Sequence, residues 1–319
     1  MDIHLLLSNL TNPTLLFFLL GVTACIVRSD LEIPASTSKF IALYLLFSIG
    51  FKGGQELAHS LFTWEILFSL LFGLVLASLI PLYTFFLLKR KLGLHNAGAI
   101  AAAYGSVSAV TFVAAVSFLE AEQLHFGGHM VAVMALMEAP AIIIGVVLLR
   151  RYDKDSEGQS SLGGLVRHSL TNSSVLMILG SLLIGLIADS KQAEGIKPFT
   201  TDIFKGFLAI FLLEMGMVTA ARFRTFRQYG WFVTLFALLI PAINGSVAAV
   251  SSAVVTSDPG NRFIFAILAA SASYIAVPAA MRLAAPKADP GLYVPMALGV
   301  TFPFNITLGM PLYMYLIGG

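Results

Sequence analysis

Apolar stretches separated by short polar breaks run along the whole chain. A helix needs roughly 20 apolar residues to cross a bilayer. On that measure the pattern predicts ten spans, near 13–27, 35–51, 62–88, 96–119, 126–149, 172–188, 200–221, 229–256, 262–284 and 290–317. The first and sixth are short, which is tolerable where the bilayer thins or neighbours cover the ends. The one polar stretch long enough for a linker runs from Arg150 to Thr171 and carries Asp153, Lys154, Asp155, Ser156, Glu157 and Gly158. It divides a first half, 1–149, from a second, 172–319, with five spans predicted in each and 150–171 as a cytoplasmic linker. An odd number of spans per half threads the second half through the membrane in the opposite sense. The fold class expected is an all-α integral membrane protein of ten transmembrane helices, arranged as two inverted five-helix repeats.

Two segments recur at one offset. Ser106 and Ser108 return as Ser271 and Ser273, and Ala114-Ala115 as Ala279-Ala280, each 165 positions on. Leu46-Phe-Ser-Ile-Gly50-Phe-Lys matches Leu212-Leu-Glu-Met-Gly216-Met-Val at nearly the same shift. The hydroxyl-rich segments fall in the middle of spans four and nine. Polar segments at the midplane of opposed repeats mark a transporter whose site lies between those repeats. Gly105 weakens the helix of span four, and Pro278 is expected to break the fifth turn of span nine by removing a backbone donor. Lipid permits unpaired backbone only where it lines a cavity or packs on protein. A broken helix frees N–H groups at the start of its second half, and these attract an anion with the help of the local dipole. Two such half-helices should face each other. The hydroxyls of Ser106, Ser108, Thr111, Ser271 and Ser273 would then bond a small oxyanion or, with freed carbonyls, ligate Na+. For either segment alone the plainer reading is close helix packing through Gly, Ala and Ser. Repetition at one offset and one depth favours a site.

Composition agrees with lipid as the solvent. The chain is 58% hydrophobic and 11% charged, against about 25% charged in soluble proteins. Its net charge of +2 gives no reason to expect a nucleic-acid partner. Cys25 is the only cysteine, which excludes an internal disulfide and any multi-cysteine metal site. Met1-Asp-Ile-His lacks the basic start of a signal peptide, so the first apolar run is expected to be retained. Basic residues gather after the odd-numbered spans: Lys89, Arg90 and Lys91; Arg150, Arg151, Lys154 and Arg167; Arg222, Arg224 and Arg227. Even-numbered connections are acidic or balanced, with Glu120 and Glu122 in one and Asp258 and Arg262 in another. The positive-inside rule then places odd connections in the cytoplasm and both termini outside.

Polar groups inside the spans are the remaining candidates. Glu138 stands mid-span in Met137-Glu-Ala-Pro-Ala141, where a carboxylate costs roughly 2.5 kcal/mol or more, so a functional role is the default over a paired or protonated carboxyl. Asn305, in Phe302-Pro-Phe-Asn-Ile306, either shares the site or hydrogen-bonds between helices. Glu214 and Asn244 read as structural or gating. Lys52, Lys205, Arg282 and His129 lie near span ends, where snorkelling accounts for them. Gly50, Gly53-Gly54 and Gly216 suit close packing, either at an interface between moving parts or simply between helices. None of the six histidines is placed to activate a midplane serine. The sequence has no Walker A motif and no His-Glu-x-x-His, and without a nucleotide site an ATP-driven pump is not expected.

At these residues the chain resembles the cyanobacterial sodium-dependent bicarbonate transporter family and its heterotrophic bacterial relatives. The likeness covers nearly the whole length. It is strongest at Tyr104–Glu120, Met137-Glu-Ala-Pro-Ala141, Met215-Gly-Met217 and Ala269–Leu312. It implies two inverted five-span repeats forming a gate domain and a mobile core domain, protomers assembled as a homotrimer in the bacterial inner membrane, and broken, crossing helices at spans four and nine. The anion would lie between those crossing segments with Na+ close by. Carried onto this chain, that points to Gly105, Ser106, Ser108, Thr111, Ser271 and Ser273, with Glu138 in place of an aspartate in a Met-Asp-x-Pro-Ala motif. The Na+ set so expected is Ser108, Thr111, Glu138, Ser273 and Asn305. Where cyanobacterial members read Ser-Ser-Ser-Asp-Ile-Ser-Gly-Pro, this chain has Ser271-Ala-Ser-Tyr274-Ile-Ala-Val-Pro278. In span four a Ser-Gly-Ser-Thr run is here Ser108-Ala-Val-Thr111. Tyr274 thus replaces an acidic group and becomes a candidate anion donor. Some members bind a PII-like cytoplasmic regulator, and the central loop here is shorter than in many of them.

The function these readings imply is Na+-coupled symport of bicarbonate by elevator-type alternating access, with Na+ as coupling ion and no other cofactor. The alternatives are Na+- or H+-coupled transport of another small anion, an anion channel, and an intramembrane enzyme using Glu138 or a serine.

Overall fold

The computed structural model describes residues 13–59, 63–153, 163–164, 167, 171, 173–226 and 229–318. Met1 to His4, Lys154 to Gly158, His168 and Arg227 lie outside the described residues, as do the side chains of Arg224 and Arg282. Among the described residues the secondary structure is helical, with no strand. In chain order the main helices are α1 (Pro13–Ile26), α2 (Ala35–His59), α3 (Trp64–Leu92), α4 (Leu94–Gly105), α5 (Ala109–Ala121), α6 (His129–Tyr152), α7 (Ser173–Ile187), α8 (Phe204–Phe226), α9 (Trp231–Ser251), α10 (Pro259–Ala270), α11 (Ala276–Ala284) and the composite α12 (Pro290–Ile317). Among the described residues six stretches are long and apolar enough to cross a membrane: Trp64–Leu92, Leu94–Ala121, His129–Tyr152, Pro198–Arg222, Trp231–Val254 and Pro290–Ile317. The apolar helices Leu15–Ile26 and Ser173–Ile187 are shorter. α2 carries Lys39, Lys52 and Glu56, and the α10–α11 pair is interrupted.

Local chemistry explains several helix ends. Glu65 stands in the first turn of α3 and Lys89, Arg90 and Lys91 in its last, each matching the helix dipole. α10 starts at Pro259 behind Asp258, whose side chain accepts from Asn261 N at 2.7 Å. α12 starts the same way, at Pro290 behind Asp289. Within α12 two π-helical turns, Ala297–Thr301 and Asn305–Gly309, flank Pro303. A proline cannot supply the ladder bond its turn needs, so the helix widens around it.

Successive connections fall at alternate ends of the bundle. At one end Lys89 lies over the rings of Phe86 and Tyr152, 4.4 and 4.2 Å from their centres. His95 meets Asp153 at 3.3 Å, Asp289 N donates to Asn96 at 2.8 Å, and Tyr229 donates to Asp289 at 2.8 Å. These contacts join the ends that follow α3, α6, α8 and α11. At the other end Gln55 donates to Ala188 O at 3.0 Å and His59 bonds Ser190 at 2.9 Å. Gly127 N donates to Asn261 at 2.7 Å, and Asn261 donates to Glu65 at 3.2 Å. Those contacts join the ends that follow α2, α5, α7 and α9. The basic connections therefore lie together.

The helices pack as two groups. α2 runs along α7 and α1 along α8. Glycines allow both contacts: a Cβ on Gly54 would stand 2.2 Å from Leu182 O, and one on Gly216 would stand 2.0 Å from Phe18 O. Backbones that close leave no space for a side chain. Gly50, matched in sequence to Gly216, lies similarly against Ile178 O. Gly50, Gly54 and Gly216 thus pack inside the group α1, α2, α7 and α8. Gly53 is the glycine that faces the other group, where its Cβ would meet Val131 Cγ2 of α6 at 2.6 Å. In that second group α3, α4 and α6 pack together, as do α9, α10 and α12. Lys52 and Lys205 do more than reach for the interface: both pair with Glu120 at the end of α5, at 3.6 and 3.4 Å. His129 is buried rather than extended to the surface.

Candidate functional site

The sequence repeat is also a repeat of backbone geometry. α4 and α10 are each 12 residues long, and both their starts and their ends are 165 positions apart. The chain leaves both in the same extended conformation, Ser106 at φ −84°, ψ 175° and Ser271 at φ −82°, ψ 166°. Residues 106–108 then separate α4 from α5, and the longer stretch 271–275 separates α10 from α11. Pro278 does not make the second break, contrary to expectation. It stands in the first turn of α11, where its missing N–H would have had no intrahelical partner. Gly105 acts through closeness: a Cβ there would lie 2.4 Å from Pro81 Cδ and 3.1 Å from Ala141 Cβ, so the end of α4 rests directly on α3 and α6.

The two breaks are bonded to each other. Ser108 N donates to Ser271 Oγ at 3.0 Å, and Ser273 N donates to Ala103 O at 2.8 Å. Ser271 Oγ in turn donates to Leu268 O at 3.0 Å. Each break thereby supplies the polar partners that the other's helix ends lack in an apolar interior. Ser108 and Ser273 also play matching parts as caps: Ser108 Oγ accepts from Thr111 N at 3.2 Å and Ser273 Oγ from Val277 N at 3.4 Å. Capping uses an acceptor lone pair, so each hydroxyl keeps its hydrogen to donate. Ser106 differs. Its side chain is 0% exposed and its Oγ has no hydrogen-bond partner among the described residues.

The remaining expected residues divide. Asn305 joins the breaks, donating to Ala270 O at 2.8 Å while its Oδ1 accepts from Tyr313 at 3.2 Å. It serves the orphan carbonyl at the end of α10, which satisfies the interhelical reading. Thr111 is buried in the first turn of α5 and enters the network through its backbone N–H. Glu138 is 6% exposed and, among the described residues, makes no hydrogen bond to either break. It lies one turn from Ala141 on the face of α6 that meets α4. Gly145 there approaches Gly98 and Ala102, and Ala141 approaches Gly105, so Glu138 comes next in line, toward 106–108. Tyr274 is half-buried and donates to Met215 Sδ of α8 at 3.9 Å, with Ser108 and Glu214 as its polar surroundings. The network includes groups that sequence reasoning did not single out. Tyr104 shares a 2.8 Å bond with Thr301, which donates to Ala237 O at 2.8 Å, and Tyr313 donates to Pro241 O at 3.1 Å. A lone tyrosine or threonine in an apolar span carries no pattern that would have marked it.

In front of the breaks, between Ala109 and Val110 of α5, Ile275, and the faces of α2 and α8, is a crevice of about 10 Å3. That is the room of a single water. The N–H groups of Ala109 and Val110 are the first-turn donors of α5 that neither oxygen of Ser108 takes. Among the described residues these donors have no partner, and donors at the positive end of a helix dipole attract small anions.

The sequence profile of the Na+-dependent bicarbonate transporter superfamily matches residues 13–318, nearly the whole chain. The chain belongs to that superfamily. No curated protein matches it. Membership together with the six long apolar helices makes this a multi-pass membrane transporter.

Proposed function

We propose that the protein is a Na+-coupled bicarbonate symporter that works by elevator-type alternating access. The observation that carries this reading is the pair of helix breaks, repeated 165 positions apart and hydrogen-bonded to each other, in a chain of this superfamily. In the proposed site bicarbonate accepts from the N–H groups of Ala109 and Val110 and from the hydroxyls of Ser106, Ser108 and Ser273. Gly105, Ser271 and Thr111 hold the breaks in register. Na+ lies behind them, with Glu138 as its charged ligand and Ser108, Thr111, Ser273 and Asn305 as neighbouring oxygens. The helices α3–α6 and α9–α12 form the moving core, α1, α2, α7 and α8 the gate, and protomers form a homotrimer. The halves are inverted repeats, with the basic connections cytoplasmic. The crevice of about 10 Å3 is too small for the anion, so this conformation is read as one with the site closed.

The test is uptake of labelled bicarbonate into proteoliposomes with and without an inward Na+ gradient, across a pH series. Na+-dependent accumulation that follows bicarbonate rather than dissolved CO2 is the expected result. Folded protein without Na+-dependent uptake would overturn the reading. A second reading, another small anion, is favoured by one observation: Tyr274 occupies the side of Ser108 that faces α8, which alters the shape available to a substrate. Competition by a panel of small anions separates the two.

A further inference from the structure

Glu214 is an intramembrane carboxylate that the proposed site does not use. It stands in the middle of α8, 12 residues from the end at Phe226, or about 18 Å of helix. A cavity of about 360 Å3 runs down to it from the end of the bundle where the basic connections lie. Ala221, Val218 and Met217 line the way along the same face of α8, and Arg28 and Glu32 stand along the opposite wall. Besides the Cys25 thiol, the titratable side chains of that lining are two carboxylates, Glu32 and Glu214, against one guanidinium, Arg28, a balance that favours a cation over an anion. At the bottom, Glu214 Oε2 is buried with no hydrogen-bond partner among the described residues. The Ser38 hydroxyl of α2 lies beside the carboxylate. On the far side is the second break: the next residue, Met215, accepts from the Tyr274 hydroxyl at 3.9 Å. A carboxylate at this depth is expensive unless it faces a cavity or a counter-charge. Here it faces a cavity, with hydroxyl oxygens around it and no cation from the chain bonded to it among the described residues.

We propose that Glu214 is a cation ligand of the transport site, reached through this cavity, with the hydroxyls of Ser38 and Tyr274 as its neighbouring oxygens. A hard monovalent cation, Na+, suits one carboxylate and neutral oxygens. This deepens the proposed Na+ coupling and rests on it. It also accounts for Tyr274, because the negative charge absent from the second break is supplied from α8, across the divide between the two helix groups. A cation held there touches both groups, so its binding favours the conformation in which they are closed on each other.

The experiment is Na+ binding to purified protein, read by radioactive Na+ retention and by the Na+-dependent rise in unfolding temperature, with choline as the replacement ion. Wild type is expected to bind, Glu214→Gln to raise the half-saturating Na+ at least tenfold, and Glu214→Asp to recover most of the affinity. Equal Na+ affinity in wild type and Glu214→Gln would overturn the assignment while leaving the symport reading intact. No Na+ binding by folded wild type would overturn both. If Glu214→Gln is unstable, Ser38→Ala serves as the second variant and is expected to weaken Na+ binding severalfold; unchanged affinity there would count against the site.

Discussion

Alanine at Ser106 and alanine at Ser271 should have opposite consequences, although the two serines are matched in sequence and in backbone conformation. Ser271 Oγ accepts from Ser108 N and donates to Leu268 O, both at 3.0 Å, in a position that is 1% exposed. Its loss leaves the Ser108 N–H buried and unpaired, a cost of about 1–3 kcal/mol. Leu268 O is less affected, since Ser271 N still reaches it at 3.4 Å. Ser106 Oγ is equally buried and bonded to nothing among the described residues, so its removal relieves a desolvation cost. Stability of Ser106→Ala should be unchanged or higher by up to about 1 kcal/mol. In transport the order reverses. A hydroxyl without a role in the fold is available to the anion, and losing one such hydrogen bond, about 1.4 kcal/mol, lowers uptake tenfold at limiting substrate. The assays are thermal unfolding of purified protein and bicarbonate uptake into proteoliposomes, on the same preparations. Wild-type uptake by folded Ser106→Ala would refute the role given to that hydroxyl. An unfolding temperature lowered more by Ser106→Ala than by Ser271→Ala would refute the account of the network.

Other expectations follow from single contacts. Gly216→Val should destabilise by roughly 1–3 kcal/mol or prevent folding, because its Cβ would meet Phe18 O at 2.0 Å, whereas Gly180→Ala, with nothing within 4 Å, should be neutral or stabilising; yield and unfolding temperature report both. Asn305→Ala leaves Ala270 O without its side-chain donor, while the Tyr313 hydroxyl keeps Pro241 O, and should lower stability by about 1–3 kcal/mol, measured by thermal unfolding. Tyr274→Asp places a carboxylate on the second break and should lower the Na+ concentration giving half-maximal uptake, while Tyr274→Phe removes a hydroxyl oxygen beside the proposed cation and should raise it severalfold.

Much of this architecture could be read from the chain because a membrane imposes few solutions. Apolar runs of span length gave most helices to within a few residues, although α2 continues to His59, and the repeated hydroxyl segments marked the regions of the two breaks. What could not be read was which contact each polar residue makes. Pro278 looked like a breaker, yet a proline in a first turn is benign, and the chain leaves the helix at Ser271. Gly50 and Gly216 showed close packing but not the neighbour, since a small residue does not say which helix approaches it. Lys52 and Lys205 lie 153 positions apart and meet at Glu120, a convergence that no local pattern announces. Glu214 looked ordinary beside Glu138 because only the folded chain brings the second break to α8.

The two breaks also differ in a way that bears on where a substrate sits. α4 and α10 superimpose in sequence position and exit angle, but the second break is longer by the width of Tyr274 and Ile275. Those two residues reach toward α8 and α2: Tyr274 to Met215, and Ile275 to the wall of the crevice that α2 and α8 close. The side of the breaks near the second repeat is thus filled by protein, whereas the first repeat keeps, among the described residues, an unbonded hydroxyl at Ser106 and first-turn donors without a partner at Ala109 and Val110. An anion drawn to positive dipole ends would therefore lie off the pseudo-symmetry axis, nearer α5 than α11. On that reasoning substitutions at Ser106 and Ser108 should alter anion selectivity more than those at Ser273. Substitutions at Tyr274 and Glu214 should act mainly on the cation. Equal selectivity changes on both sides would place the substrate on the axis instead.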